Sequence, residues 1–235
     1  MRIRRVVTTR EGGVSRPPYD SFNLGGHVGD DPAAVRANRE RLARELGVPE
    51  DRLVWMEQVH GRTAQVVDGP VTEPLEATDA VVTAEPGLAL VVLVADCVPV
   101  LLGDPVAGVV GAVHAGRVGA RVGVVPAALA AMRTAGADVA RVEVLLGPAV
   151  CGDCYEVPQA MQTDVEKHLP GSACRTRRGT PGLDLRAGLW RQLADAGVAR
   201  IGIDPRCTNE EAALFSHRRE GTTGRLAAVT WVDPR

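Results

Sequence analysis

The stretch LALVVLVADCVPVLLGDPVAGVVGAVHA, residues 88–115, decides the fold. It holds three runs, LALVVLVAD (88–96), VPVLLG (98–103) and AGVVGAVHA (107–115), with almost nothing between them. Each reads as a strand. Apolar residues on both faces place all three in the middle of a sheet covered on both sides. Asp96 and Cys97, where the first run meets the second, and His114, at the end of the third, are then polar residues at the ends of buried strands. A thiol there is either a small hydrophobe in a core or part of a site at the sheet edge.

Working outward, RIRRVVTT (2–9), RLVWMEQVH (52–60), TAQVVD (63–68), DAVVTA (79–84), RVEVLLG (141–147), IGID (201–204) and RLAAVTWV (225–232) also read as strands. A helix is predicted from Pro32, with Asp31 as N-cap and Gly47 as its stop. Further helices are expected over 119–136, 158–169 and 183–197, the last capped at Asp184. The segment 10–32 is rich in Gly, Pro, Asp and Asn and too long for an idle connection, so it is expected to serve the function. Strands cluster without strict β–α alternation. The expected architecture is α+β with mixed sheets, in one domain spanning 1–235.

With 45% hydrophobic residues and a formal charge of −2 in 235 residues, the chain reads as globular. It carries no electrostatic footprint for nucleic acid and no run long enough to span a membrane. An apolar signal core is missing after MRIRR, which points to the cytoplasm. Five cysteines, an odd number, argue for reduced thiols, metal ligands or buried small residues rather than a disulfide framework.

His60, Cys97 and His114 all stand at the ends of strand-like runs. Two imidazoles and a thiolate make a three-ligand set for zinc, with a fourth position open to water or substrate. Their separations are long and lack the compact signature of a zinc finger, so spacing alone leaves open that each is a structural residue.

The surrounding motifs speak to that choice. TTREGGVSRPPYDSFNLG, HVGDDPAAVRANR, EQVHG, ADCVPVLL, AVHAGR, GPAVCGDCYEV, LDLR and CT followed by LFSHRREGTTGR occur in this order across the whole chain. Together they closely resemble the bacterial laccase-domain family, formerly called multicopper polyphenol oxidases and now regarded as purine nucleoside phosphorylases. The resemblance implies zinc at His60, Cys97 and His114, and a single α/β/β/α domain similar to certain cysteine hydrolases. It further implies phosphorolysis of adenosine, inosine and 5′-methylthioadenosine, with adenosine deamination as a second activity. The substrates expected are thus a nucleoside and phosphate. Where many members read HAGWRG, this chain reads HAGRVG (114–119). Either Arg117 replaces the usual arginine from the neighbouring position, or substrate preference differs.

Asn23, Asn38, Arg39, Arg218 and Arg219 lie in family-matching motifs and are expected to contact substrate. Arginine suits phosphate because its guanidinium offers a forked set of donors. Arg10 lies in such a motif too and is a candidate of the same kind. Asp96 could orient a ligand or act as general acid/base beside Cys97, or simply anchor the backbone. Cys151 and Cys154 form a CxxC, but with no second CxxC in the chain the pair reads as incidental. His217 could assist at the site and His27 sits in the long loop, whereas His168 reads as surface.

Two other enzymatic readings stand beside the phosphorylase. A Cys97 thiolate with a histidine base could instead be the nucleophile of an amidase editing peptidoglycan precursors. His and Cys also suit copper, but a chain with five histidines cannot supply the ligands of a multicopper oxidase, so copper is expected only as adventitious loading. A binding module keeping a metal for stability is the non-enzymatic alternative. The oligomeric state is not legible in the sequence.

Overall fold

A computed structural model describes residues 1–234. Twelve strands occur among them: β1 Ile3–Val7, β2 Leu53–Val54, β3 Ala64–Val66, β4 Ala80–Thr83, β5 Ala89–Val94, β6 Val98–Asp104, β7 Val109–Ala115, β8 Glu143–Leu146, β9 Ala173–Arg175, β10 Pro181–Leu183, β11 Arg200–Ile203 and β12 Leu226–Val232. Six α-helices accompany them: α1 Pro32–Leu46, α2 Arg117–Val122, α3 Val124–Thr134, α4 Gln159–His168, α5 Leu185–Asp195 and α6 His217–Glu220. Two mixed sheets carry the fold, a four-stranded one ordered β1-β12-β5-β2 and a six-stranded one ordered β11-β8-β6-β7-β4-β3.

Alternation of side chains along the strands explains why both sheets are buried on both faces. On β5, Ala89, Val91 and Leu93 pack with Leu42 and Ala43 of α1, whereas Leu90, Val92 and Val94 turn the other way. There they meet Val81 of β4, Leu101 of β6, and Val110 and Ala112 of β7, which form the space between the sheets. The opposite faces of these strands, Ala80, Val82, Val100, Leu102, Val109 and Val113, pack under Val125, Ala128 and Met132 of α3 and Leu189 and Leu193 of α5. The layers run α1, four-stranded sheet, six-stranded sheet, then α2 to α5. The expected α+β architecture with mixed sheets is what the structure has.

The inter-sheet space also positions the polar residues. Counting by twos from Leu101 reaches Cys97, from Val110 and Ala112 reaches His114, and from Val81 reaches Asp79. Three polar side chains thus belong to the inter-sheet face, where the strands run out.

Most elements fall where the sequence puts them, down to the caps. Asp31 accepts the Ala33 N–H, and Gly47 closes α1 in the left-handed region at φ 67°. Asp184 accepts the Ala187 N–H at the start of α5. Three expectations need correction. The helix predicted over 119–136 is two helices, because Gly123 adopts φ 90° and breaks the run between α2 and α3. The strand predicted over 52–60 shrinks to β2, because the rest of that run leaves the sheet to carry His60. The β9–β10 hairpin was not foreseen, its strands being too short to show a period. No helix among the described residues is long and apolar enough to cross a membrane.

Candidate active site

Cys97, His114 and His60 converge at the open end of the inter-sheet core. Register brings the first two together: β6 pairs antiparallel with β7, setting Pro99 opposite His114. His60 arrives from the segment after β2, which a side chain fastens to β5. Gln58 accepts the Leu93 N–H at 2.8 Å and donates to the Leu93 carbonyl at 2.8 Å, imitating a strand pair. His60 itself sits in the left-handed region at φ 60°, a conformation uncommon outside glycine.

Asp79 holds that conformation. Its buried carboxylate accepts the backbone N–H of Val59 at 3.2 Å, His60 at 3.0 Å and Gly61 at 2.6 Å. The same carboxylate accepts His114 Nδ1–H at 2.8 Å, which fixes the imidazole tautomer and leaves Nε2 for the site. One carboxylate therefore sets both histidines. Burial alone would raise its pKa, but the His114 hydrogen bond and the backbone donors outweigh that and keep it lowered. The sequence reading missed Asp79. Its signal was an acid two residues before Val81, on the face that the inter-sheet residues share.

Donor atoms of His60, Cys97 and His114 all lie within 4.8 Å of one another. The Cys97 sulfur is 3.8 Å from His60 Nε2, and the two rings meet edge-on with centroids 4.6 Å apart. Burial works against charge here, yet the neighbouring imidazoles prevail. They draw the Cys97 thiol down to about 6, and the thiolate in turn pushes His114 up to about 9. One thiolate and two imidazoles, one with its far nitrogen fixed by a carboxylate, suit a divalent transition metal. Gly116 completes the cluster by having no side chain: a Cβ there would stand 2.7 Å from His60 Cδ2 and 3.0 Å from the Cys97 sulfur.

The trio opens into a cavity of about 310 Å³. Arg117, Arg218, Arg225, His27 and His217 line it on the polar side; Leu93, Val94, Val150, Leu185 and Tyr155 line the rest. The Arg218 guanidinium lies 5.0 Å above the Tyr155 ring. At the departure from the family motif, Arg117 lines the cavity, whereas Val118 is 40% exposed and does not.

Asp96 also lines the cavity, with φ 84° ending the strand before Cys97. Its carboxylate accepts Thr208 Oγ1–H at 2.6 Å, Ser216 Oγ–H at 2.7 Å and the Arg218 N–H at 2.6 Å. It thereby ties the segment that carries His217 and Arg218 over the site.

The remaining predicted contacts are not on the cavity wall. Asn23 is buried and accepts the N–H of Gly25 at 2.9 Å and of Arg225 at 2.8 Å, so it positions Arg225. Asn38, also buried, donates to Ser15 Oγ and to the Ser21 and Asn23 carbonyls. Arg39 stacks 4.0 Å from the Trp55 ring and donates twice to the Leu24 carbonyl. These three organise the long loop that delivers His27. Arg219 is spent on the Thr208, Glu211 and Leu214 carbonyls, and Arg10 on Asp20 and Glu220. Reading the motifs also left Arg225 and His27 without a place in the site; both stand in loops in the structure, although the predicted strand 225–232 starts at Arg225.

Known proteins resemble this chain over nearly its whole length. The chain is 58% identical to a purine nucleoside phosphorylase of Mycobacterium tuberculosis over 99% of its own length and 93% of the relative's. It is 58% identical to one from Corynebacterium glutamicum, covering 98% and 94%. Among solved structures, YlmD from Geobacillus stearothermophilus superposes with a TM-score of 0.91 at 35% identity, over 99% of this chain and 92% of that one. The Bacillus licheniformis protein YfiH gives 0.90 at 31%, over 98% and 92%. Residues 4–233 match the family described as multi-copper polyphenol oxidoreductase laccase, and the chain belongs to that family.

Proposed function

We propose that the protein is a zinc-dependent purine nucleoside phosphorylase acting on adenosine, inosine and 5′-methylthioadenosine, with adenosine deamination as a second activity. The observation that carries this reading is one cavity holding both the His60–Cys97–His114 trio and three guanidinium groups. Relatives at 58% identity named purine nucleoside phosphorylase support it.

His60, Cys97 and His114 would hold the zinc, which supplies Lewis-acid polarisation of a group bound beside it. Arg117, Arg218 and Arg225 hold phosphate by charge-assisted hydrogen bonds and orient it. One phosphate oxygen forms a bond to C1′ of the ribose as the C1′–N9 bond breaks. The purine leaves with the electron pair and takes up a proton, giving free base and ribose 1-phosphate. Leu93, Val94, Val150 and Leu185 cover the apolar faces of the nucleoside and exclude water that would compete with phosphate. In deamination, water replaces the amino group at C6 of adenine and ammonia leaves.

The test is product identification with inosine and adenosine, with and without phosphate. Hypoxanthine and ribose 1-phosphate should appear from inosine only when phosphate is present, and inosine should form from adenosine without it. Zinc-loaded protein that converts neither nucleoside overturns the reading. The thiol drawn down to about 6 also suits a second reading, a cysteine amidase acting on peptidoglycan precursors. Chelation that empties only the His60–Cys97–His114 trio separates the two, since an amidase needs no zinc there.

A further inference from the structure

We propose that Cys151, Cys154 and Cys207, with Glu210 as fourth ligand, form a second zinc site, structural in character and separate from the cavity. Their donor atoms all lie within 4.8 Å of one another, although Cys207 and Glu210 come from a distant part of the chain. Spacing alone made the CGDC motif look incidental, because its partner stands alone in CTNE (207–210).

Backbone structure builds the cluster. Ala149 and Cys207 form a parallel bridge, and the Thr208 N–H donates to the Ala149 carbonyl at 3.2 Å, laying the two segments side by side. CGDC then folds into a tight turn, the N–H groups of Cys154 and Tyr155 donating to the Cys151 carbonyl at 3.1 and 3.0 Å. Such a turn sends two sulfurs to one side, as in the CxxC half of zinc-binding modules. The Cys151 N–H donates to Cys207 Sγ at 3.3 Å, which holds that sulfur against the CGDC turn. Glu210 is held nearby by Arg177, whose guanidinium takes Oε1 at 2.5 Å and leaves the other carboxylate oxygen for the metal.

Three soft sulfurs and one carboxylate oxygen select zinc over magnesium or calcium, and four protein ligands leave no position for substrate. None of the four lines the cavity, but their neighbours Val150 and Tyr155 do, and Thr208 donates to Asp96. A metal here would pin two loops that form one wall of the active site.

The test is metal content by mass spectrometry on protein purified in reductant, without chelator or added metal. Wild type should hold two zinc ions per chain and His60→Ala/His114→Ala one. Cys151→Ser/Cys154→Ser should lose the second ion and keep the first. Cobalt substitution tells the sites apart, because sulfur-to-cobalt charge-transfer absorption scales with the thiolates bound. The cysteine variant should retain roughly a quarter of the wild-type band, one thiolate of four. If that variant does not fold, the histidine variant decides alone. A wild-type count of one that the histidine substitutions leave unchanged supports this site and counts against the first. A histidine variant with no metal, or native protein with a disulfide among Cys151, Cys154 and Cys207, overturns the proposal.

Discussion

Asp79 and Asp104 are two buried carboxylates on the six-stranded sheet, solvated by the protein in nearly the same way. Asp79 accepts three backbone N–H groups and His114 Nδ1–H. Asp104 accepts three backbone N–H groups, from Val106, Ala107 and Asp138, and the Arg141 guanidinium at 3.0 Å. The cation differs, and with it the role. Arg141 stays charged at every working pH, so Asp104 only locks the turn after β6 to the start of β8. His114 has a second nitrogen, so the device that secures Asp79 also aims an imidazole at Cys97. A single structural motif becomes part of a site when its cation can face two ways.

Replacing each cation is the most severe way to break this pairing. His114→Ala should abolish tight metal binding at the His60–Cys97–His114 trio and lower phosphorolysis by on the order of a thousandfold or more. Arg141→Ala should lower the melting temperature and leave kcat and metal content unchanged. Turnover of inosine, beside metal content, reads both. A histidine variant with full turnover would remove the functional half of the comparison.

Replacing the carboxylates is the next step down. Asp79→Asn keeps the size of the side chain but weakens its grip on the imidazole and on the His60 turn. Metal affinity should fall about 10–100-fold, the usual cost of losing a carboxylate behind a metal-bound histidine. Competition with a chromophoric chelator measures it, and Asp104→Asn is the control that should not move it.

A smaller effect is expected from Gly116→Ala, for which Asp104 has no counterpart. The added Cβ has no room against His60 and the Cys97 sulfur. Overpacking costs about 1–3 kcal/mol, and exposed His60 is the neighbour free to yield. The cost should therefore appear as roughly tenfold weaker metal binding with little change in melting temperature. Unchanged affinity would mean that His60 is not held where the structure has it.

Much of this was legible in the sequence, and particular residues show where it stopped. The apolar runs 88–115 announced strands covered on both faces, but not that the first lies in one sheet as β5 and the other two in the second as β6 and β7; parity along β6 and β7 puts Cys97 and His114 on one face. His60 was found as a strand end, yet it stands in a left-handed turn, because Gln58 and not the backbone makes the last sheet contact. Motif matching identified Arg218 on the cavity wall, and Arg117 lines it too although it stands where the motif is broken. It also chose Asn23, Asn38 and Arg39, which act one step back by building the loop behind His27 and Arg225. A motif records that a residue is needed, not whether it touches the ligand. Asp79 and the grouping of Cys207 with Cys151 and Cys154 depend on pairings between distant segments, which no local pattern encodes.

Acid titration gives the last and smallest separation between the two carboxylates, because only Asp104 can be followed without a metal ligand in contact. Burial opposes its ionisation, but Arg141 and the N–H groups of Asp138, Ala107 and Val106 outweigh that and hold the carboxyl down to about 2. An unfolded aspartate titrates near ~3.9, so the folded protein binds the proton less readily than the unfolded chain. The linkage therefore stabilises the fold above pH ~4 and fades as pH falls through about 2, amounting to about 3 kcal/mol at most. Asp104→Asn should be less stable at neutral pH, and its difference from wild type should shrink between pH 4 and 2. Urea unfolding of both metal-free proteins across that range measures the difference, which cancels the contributions of other carboxylates. A difference independent of pH would show that Asp104 acts through shape and not through charge.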